Sequence, residues 1–234
     1  MKLSIIIPCY NEHLTISKII KKINLFLSLN GKYNYEIIVI DDFSTDGTRE
    51  ILQKKLIKKI SKLILNDKNY GKGYSVKKGI KAASGKIIMI QDADLEYDPG
   101  DYDKLIAPIR DNFADVVIGS RFIGSNKKKE LYFFLHRLGN KILTFLSNIL
   151  SGLNLTDMEN CYKVFRADVI KSIKLCENRF GFEPEVVAKI SKMNIRIIEV
   201  GVSYHGRKYS EGKKITWKDG ISAIRCIIYY NLFR

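Results

Sequence analysis

The stretch Lys86 to Asp94, KIIMIQDAD, runs an apolar strand directly into two carboxylates one residue apart. Its core lacks the polar–apolar alternation of a half-exposed strand, so it reads as buried on both faces, as in a parallel sheet covered by helices. The same pattern lies upstream in Leu3 to Ile7, closed by Pro8, and in Glu36 to Ile40, which ends in Asp41-Asp42. Lys62 to Leu65 is a further short strand. Between these runs the spacing turns helical. Leu14, Ile16, Ile19, Ile20, Ile23 and Phe26 recur on one face after Asn11, a candidate N-cap. Asp46-Gly47 opens a Lys-rich helix, and the loop NDKNYGKG (66–73) leads into another over about 73–83. Alternating strand and helix predicts an α/β fold with a mostly parallel sheet and right-handed crossovers. Ligands of such sheets sit at the carboxyl ends of the strands. Tyr10-Asn11-Glu12, Asp41-Asp42 and Asp92-Ala93-Asp94 all fall there.

Downstream, Asp115 to Gly119 is another strand and is followed by Ser120-Arg121. A basic loop, Ser125 to Glu130, precedes a strongly apolar helix over about 131–150. The segment Thr156 to Phe165, a helix near Ala167, another over 183–193 and a strand from Arg196 to Val202 follow. After a basic stretch, Gly206 to Lys218, an amphipathic helix covers about 219–233. There is no internal repeat and no Pro/Ser-rich linker, so one domain is expected over 1–234.

Of the 234 residues, 46% are apolar, a globular composition, and 40 Lys+Arg against 25 Asp+Glu give a net charge of +15. Such an excess favours anionic partners. Nucleic acid is the weakest of these, because acidic strand ends repel a phosphate backbone and no aromatic-and-basic strand pattern is present. Cys9, Cys161, Cys176 and Cys226 form no CxxC pair and fit a reducing compartment. No run reaches the roughly 18 apolar residues of a spanning helix. The expectation is a cytoplasmic protein, peripherally associated with the inner face of a membrane.

Asp92, Asp94 and Glu96 supply the hard oxygens that Mg²⁺ or Mn²⁺ takes together with substrate phosphates. Placed at a buried strand end, beside other strand-end acids, they point to a metal that steadies negative charge on a leaving group. His136 and His205 have no ligand partner at metal spacing. Tyr204 and Trp217 read as packing residues, and Gly71 and Gly73 as turn glycines in a loop with a weak phosphate-cradle signal.

Taken together, IIIPCYNE (5–12), EIIVIDDFSTDGT (36–48), NYGKG (69–73), IMIQDADLEYDP (88–99), VVIGSRF (116–122), LTDMENCYKVFR (155–166), GFEPE (181–185) and SYHGRKYSEGKKI (203–215) resemble the family-2 glycosyltransferases of GT-A fold. The resemblance is strongest to members acting on polyprenyl phosphates, of the dolichol-phosphate mannosyltransferase type, and covers nearly the whole chain. It implies a nucleotide-sugar-binding half over 1–120 and an acceptor-binding half over 121–234. Pro8, Tyr10, Glu12 and Asp42 would hold the donor's base and ribose, with Ile40 lining the pocket. Asp92, Asp94 and Glu96 would hold the metal and pyrophosphate; the mannosyltransferases often carry Gln at the last position, which leaves metal preference and donor open. Arg121 would bind the acceptor phosphate, helped by Arg137, Asn140 and Lys141. Asp157 would stand near the sugar, orienting the acceptor or acting as base. Arg207 with Lys213 or Lys214 matches a basic loop over the diphosphate, at a spacing that differs by about one residue.

The function so implied is inverting transfer of a hexose, mannose or glucose, from a nucleotide diphosphate sugar to a polyprenyl phosphate at a membrane surface. A phosphate monoester has its second pKa near about 6, so it is already a nucleophile at neutral pH. It needs cations more than a base. The apolar helix 131–150, with Arg137 and Lys141 four residues apart, and the last helix fit an interfacial role. A family-2 enzyme acting on a sugar hydroxyl is the rival reading.

Overall fold

The computed structural model describes residues 1–31, 33–124, 134–207, 214 and 217–234. The expected loop at 125–130, the start of the apolar helix and Lys213 lie outside the described residues.

Seven described strands form one sheet: β1 (Lys2–Cys9), β2 (Asn34–Asp41), β3 (Lys62–Leu65), β4 (Ile87–Ile90), β5 (Val116–Ser120), β6 (Lys163–Arg166) and β7 (Ile197–Gly201), in the order β3-β2-β1-β4-β6-β5-β7. β1 pairs in parallel with β2 and β4, and β5 in parallel with β7. Every residue from Ile5 to Ile7 and from Ile87 to Ile90 is at most 1% exposed, so the two-sided burial expected from the apolar runs is present. Each such Ile contributes about 1.5–3 kcal/mol when fully buried. The covering elements are the helices α1 (Ile16–Asn30), α2 (Thr48–Glu50), α3 (Lys72–Ala82), α4 (Tyr102–Arg110), α5 (Phe134–Ser151), α6 (Ala167–Ser172), α7 (Phe182–Ile190) and α8 (Trp217–Leu232). α1 buries Ile16, Ile19, Ile20 and Ile23 of the predicted face, with Phe26 partly buried and Leu27 added to it, whereas Leu14 precedes the helix and is 69% exposed. α3 lies so close on β1 and β2 that a Cβ at Gly79 would come within 2.3 Å of Ile6 Cγ2.

Several expectations are corrected. β6 is antiparallel to both β4 and β5 and separates them, a strand the sequence does not announce. α4 is likewise additional. Asn11 is not an N-cap: α1 begins at Ile16, and Asn11 takes a left-handed φ of 49° while its Oδ1 accepts a hydrogen bond from Thr45 N at 2.8 Å. Short polar side chains tolerate that conformation by bonding locally. Trp217 is 72% exposed rather than packed.

Candidate active site

The order around β1 places a crevice where β2 leaves on one side and β4 on the other, and the acidic strand ends gather there. Asp42 is buried; its Oδ1 accepts from Asn66 Nδ2 (2.7 Å) and Tyr70 N (3.1 Å), its Oδ2 from Gly71 N (2.7 Å). Gly71 has a φ of +103°, and a Cβ there would lie 2.6 Å from the Asn178 carbonyl oxygen, so only glycine brings that amide to Asp42. Asp41, fully buried, is paired with Arg49 Nε at 2.8 Å.

The 69–73 loop therefore acts differently from a phosphate cradle. Its amides hold Asp42, and its Lys72 reaches Asp92 Oδ1 and Glu183 Oε1, both at 2.9 Å. It ties the end of β2 to the end of β4. Burial works to raise the Asp92 carboxyl, but the Lys72 ammonium holds it below its ordinary range. Asp94 goes the other way. Burial, then the charges of Asp92 and Glu96, push it up to about 7, against the pull of Arg207.

Arg207 binds this cluster from the far end of the chain. Its guanidinium meets Asp94 Oδ2 at 2.8 Å and Glu12 Oε2 and Oε1 at 3.1 and 3.2 Å; its amide donates to Glu96 Oε1 at 2.8 Å. Lys214 Nζ bonds Glu12 Oε1 at 2.7 Å, donates to the Tyr10 carbonyl and lies 5.6 Å over the Tyr10 ring. Pro8 and Ile40 face each other in the β1–β2 register, and Ile40 is fully buried against α3, in the core rather than on an open wall.

Beyond β5 the polarity reverses. Arg121 Nε and NH2 bond Asp157 Oδ2 and Oδ1, each at 2.7 Å, and its amide adds a third bond at 2.9 Å. Asn140 Nδ2 (2.7 Å) and Asn160 Nδ2 (3.2 Å) also donate to Asp157. Burial opposes ionisation of Asp157, but the Arg121 charge and these bonds keep it below the ordinary carboxylate range. A fully buried carboxylate so committed aims a cation; it has no lone pair left for taking a proton. Glu199 in turn accepts from Thr156 N (2.7 Å) and Asp157 N (3.1 Å), and buried Lys163 donates to the Met158 carbonyl at 3.0 Å, closing the loop. Arg137 lies 5.3 Å over the Phe122 ring, and Lys141 is exposed one turn on.

The two halves of the site meet at Tyr204. Its ring stacks under Arg121 at 5.2 Å and its hydroxyl donates to Glu96 Oε2 at 3.2 Å, so it is more than packing. Tyr204, Lys72, Glu183 and Glu199 carry no role in the sequence reading. Lys72 and Glu183 lie inside the quoted motifs NYGKG and GFEPE, and that position is the signal available for them.

The donor set Asp92, Asp94 and Glu96 fits a hard divalent cation in kind: three carboxylate side chains, with Asp94 raised by burial and then by the like charges of Asp92 and Glu96. Among the described residues, however, no three His, Cys, Asp or Glu side chains converge closely enough to hold a metal ion. Arg207 stands among them instead.

The chain is similar to the dolichol-phosphate mannosyltransferase of Pyrococcus furiosus, with 31% identity over 220 residues, covering 92% of this chain and 61% of that protein. It is also similar to the dodecaprenyl-phosphate galacturonate synthase of Rhizobium johnstonii, at 26% identity, covering 91% of this chain and 62% of that one. The chain thus spans about three fifths of the length of these relatives. The glucosyl-3-phosphoglycerate synthase of Mycobacterium tuberculosis, solved with Mn²⁺, UDP and phosphoglyceric acid, superposes with a TM-score of 0.72 at 17% identity, over 100% of this chain and 79% of that one, and shares its fold. Residues 4–174 match the model of glycosyl transferase family 2, and the chain belongs to that family.

Proposed function

We propose that this chain transfers a hexose, mannose or glucose, from a nucleoside diphosphate sugar to a polyprenyl phosphate at the inner, cytoplasmic face of a membrane. One observation carries the reading. A partly buried arginine aimed by Asp157 stands one aromatic ring away from the carboxylate of Glu96, two residues from Asp94. Such a cation beside a metal-type acid cluster suits two anionic substrates that must meet. The relatives' names, which specify lipid-phosphate acceptors, support the same assignment.

In this reading Asp42, Glu12, Tyr10 and Pro8, with Ile40 behind them, shape the pocket for base and ribose. Asp92, Asp94 and Glu96 would hold Mg²⁺ or Mn²⁺, which when bound supplies neutralisation of charge on the departing diphosphate. Arg207 and Lys214, with Lys213 beside them in sequence, add cations to the same leaving group. Arg121, its Nε and NH2 edge held by Asp157, would present its remaining NH1 and NH2 hydrogens to the acceptor phosphate, bidentate recognition that lysine does not match. Arg137, Asn140 and Lys141 complete the acceptor side, Asn140 through its bond to Asp157. The acceptor's phosphate oxygen attacks the anomeric carbon as the bond to the nucleoside diphosphate breaks on the opposite face, giving inversion. An already anionic nucleophile leaves Asp157 free to position Arg121.

The lipid end has a matching surface. α5 exposes Leu138, Ile142, Phe145 and Ile149 along one stripe, and α8, packed against it, exposes Trp217, Ile221, Ile228 and Leu232. Among the described residues no helix is long and apolar enough to cross a membrane, so these faces would lie in the interface.

A donor screen tests the proposal: GDP-mannose, UDP-glucose and related donors with Mg²⁺ or Mn²⁺, with and without a polyprenyl phosphate. Product that requires the lipid phosphate is expected. Equal turnover onto a glycan hydroxyl with lipid phosphate inert sinks the acceptor assignment. Flotation with anionic vesicles, lost when Phe145 and Ile149 become Ser, tests the surface.

A further inference from the structure

Four carboxylates stand at the ends of β1 and β4, and the chain's own cations engage all of them. Lys72 holds Asp92. Arg207 bridges Asp94, Glu12 and Glu96, and Lys214 adds a second cation to Glu12. Arg207 is delivered by an ordered segment. Ser203 N donates to Asp101 Oδ2 at 2.5 Å, Tyr204 bridges to Tyr97, and His205 N donates to the Glu96 carbonyl at 2.8 Å, so residues 203–207 run stitched along 96–101. The arginine side chain is only 16% exposed, and its Nε is enclosed without a hydrogen-bond partner.

This placement has a chemical consequence. A guanidinium does not lose its proton in a protein, so it leaves a carboxylate only for a better anion or under displacement by another cation. A lone divalent ion approaching Asp94 and Glu96 meets Arg207, Lys214 and Lys72 first, and must displace the Arg207 guanidinium from Asp94 Oδ2 while Glu12 holds that guanidinium in place with two further hydrogen bonds. A nucleoside diphosphate instead offers phosphate oxygens matched to the guanidinium fork, and drawing Arg207 onto them frees carboxylate oxygens for the metal. Resting on the reading of this pole as the donor site, we propose that Arg207 is an internal counter-cation that makes divalent-metal binding conditional on the nucleoside diphosphate. Metal and nucleotide then load together. Linkage requires that each raises the other's affinity by the same factor.

The test is Mn²⁺ titration of the full chain, with free Mn²⁺ read by electron paramagnetic resonance, alone and with saturating GDP or UDP. Wild type is expected to bind Mn²⁺ alone at least about tenfold more weakly than with the preferred nucleotide. Arg207→Gln is expected to bind Mn²⁺ alone several-fold more tightly than wild type and to lose most of the nucleotide's enhancement. Arg207→Lys, which keeps a charge but cannot fork across Glu12 and Asp94, should fall between them, and it carries the test if the glutamine variant fails to fold. Nucleotide-dependent Mn²⁺ binding by wild type, with no gain in either variant alone, overturns the counter-cation while leaving the donor site standing. Equal Mn²⁺ affinity of wild type with and without nucleotide overturns it as well. Absence of Mn²⁺ uptake with both nucleotides, in wild type and variants, removes the donor-site reading and this proposal together.

Discussion

The two poles of the central sheet treat buried acids in opposite ways. At the opposite pole from the candidate site, Asp115 enters β5 beside Arg196 at the start of β7 and Arg166 at the end of β6. Its oxygens accept from Arg196 N, Nε and NH2 at 2.8, 3.1 and 3.2 Å and from Arg166 NH1 at 3.0 Å. The Arg196 hydrogen bonds lead in holding its carboxyl well below the ordinary range. At the candidate site the ledger of donors and acceptors does not close. Asp41 Oδ1, Glu159 Oε1, Glu183 Oε2 and Arg207 Nε are enclosed without partners, and Asp94 is pushed up to about 7. Ser147 Oγ and Asn231 Oδ1 lack partners elsewhere, on α5 and α8, but the exceptions that are ionisable gather at the candidate site, although native interiors ordinarily satisfy such groups. One sheet thus carries a finished ion pair knot and an unfinished one, and the unfinished one lies at the proposed substrate site.

The sharpest way to break this contrast is to neutralise one acid at each pole. Asp94→Asn should lower transfer by about a thousandfold or more, because it removes charge that acts on the leaving diphosphate. It should melt no lower than wild type, since the substitution also removes a repelled buried charge. Asp115→Asn should do the reverse: turnover within about twofold of wild type, with stability down by about 1–2 kcal/mol, or roughly 2–8 °C for a chain of this length. A depressed carboxyl stabilises above its unfolded value of 3.8, so the deficit of Asp115→Asn should close as the pH falls below that value. Parallel activity assays and thermal melts at pH 7 and pH 3 read all of this. An Asp94 variant that unfolds, or an Asp115 variant that is inactive but stable, removes the distinction.

A smaller effect is expected across the site. Asp157→Asn keeps the shape of the loop but leaves Arg121 without its anionic partner. The acceptor's KM should rise by about tenfold while nucleotide affinity measured by calorimetry stays put, with a loss of stability of about 1–3 kcal/mol for the partly buried cation left unpaired. A pure loss of kcat with unchanged acceptor KM instead makes Asp157 a catalytic group rather than a positioning one.

What the sequence makes legible divides along similar lines. The parallel strands β1, β2 and β4 are evident because each is a short apolar run, and their terminal acids are evident because they sit where those runs stop. β6 is not, because it opens on Lys163, a charged residue whose burial is made possible by carbonyls of its own loop and by the nearby charges of Glu183 and Glu159, and because its pairing with β4 joins Ile88 to Phe165. α4 is hidden by Pro108 inside it. The acids of the site are readable, but their partners are not. Arg207 is 195 residues from Glu12, and no local period connects them. The choice of Lys72 for Asp92, and of Tyr204 as the link between Arg121 and Glu96, is likewise made by the tertiary fold.

The smallest expected effect concerns Glu159, which lies two residues from Asp157 in the loop that closes the acceptor side. Its Oε1 is enclosed without a partner; burial, then the charge of Glu183, pushes it up to about 8, against Lys163 and Arg121. The folded chain therefore keeps a proton on Glu159 up to that pH, whereas the unfolded chain gives it up near 4.5. Folding then takes up a proton, so this residue erodes stability progressively as the pH rises from about 4.5 to about 8. Glu159→Gln removes the titration and keeps the volume. It should melt with wild type at pH 5 and above it at pH 8.5, by about 2–4 °C for each kcal/mol recovered. If the two proteins melt together across that range, Glu159 is hydrated in solution, and Arg137 Nε is left, among the described residues, as the unsatisfied ionisable group of the acceptor side.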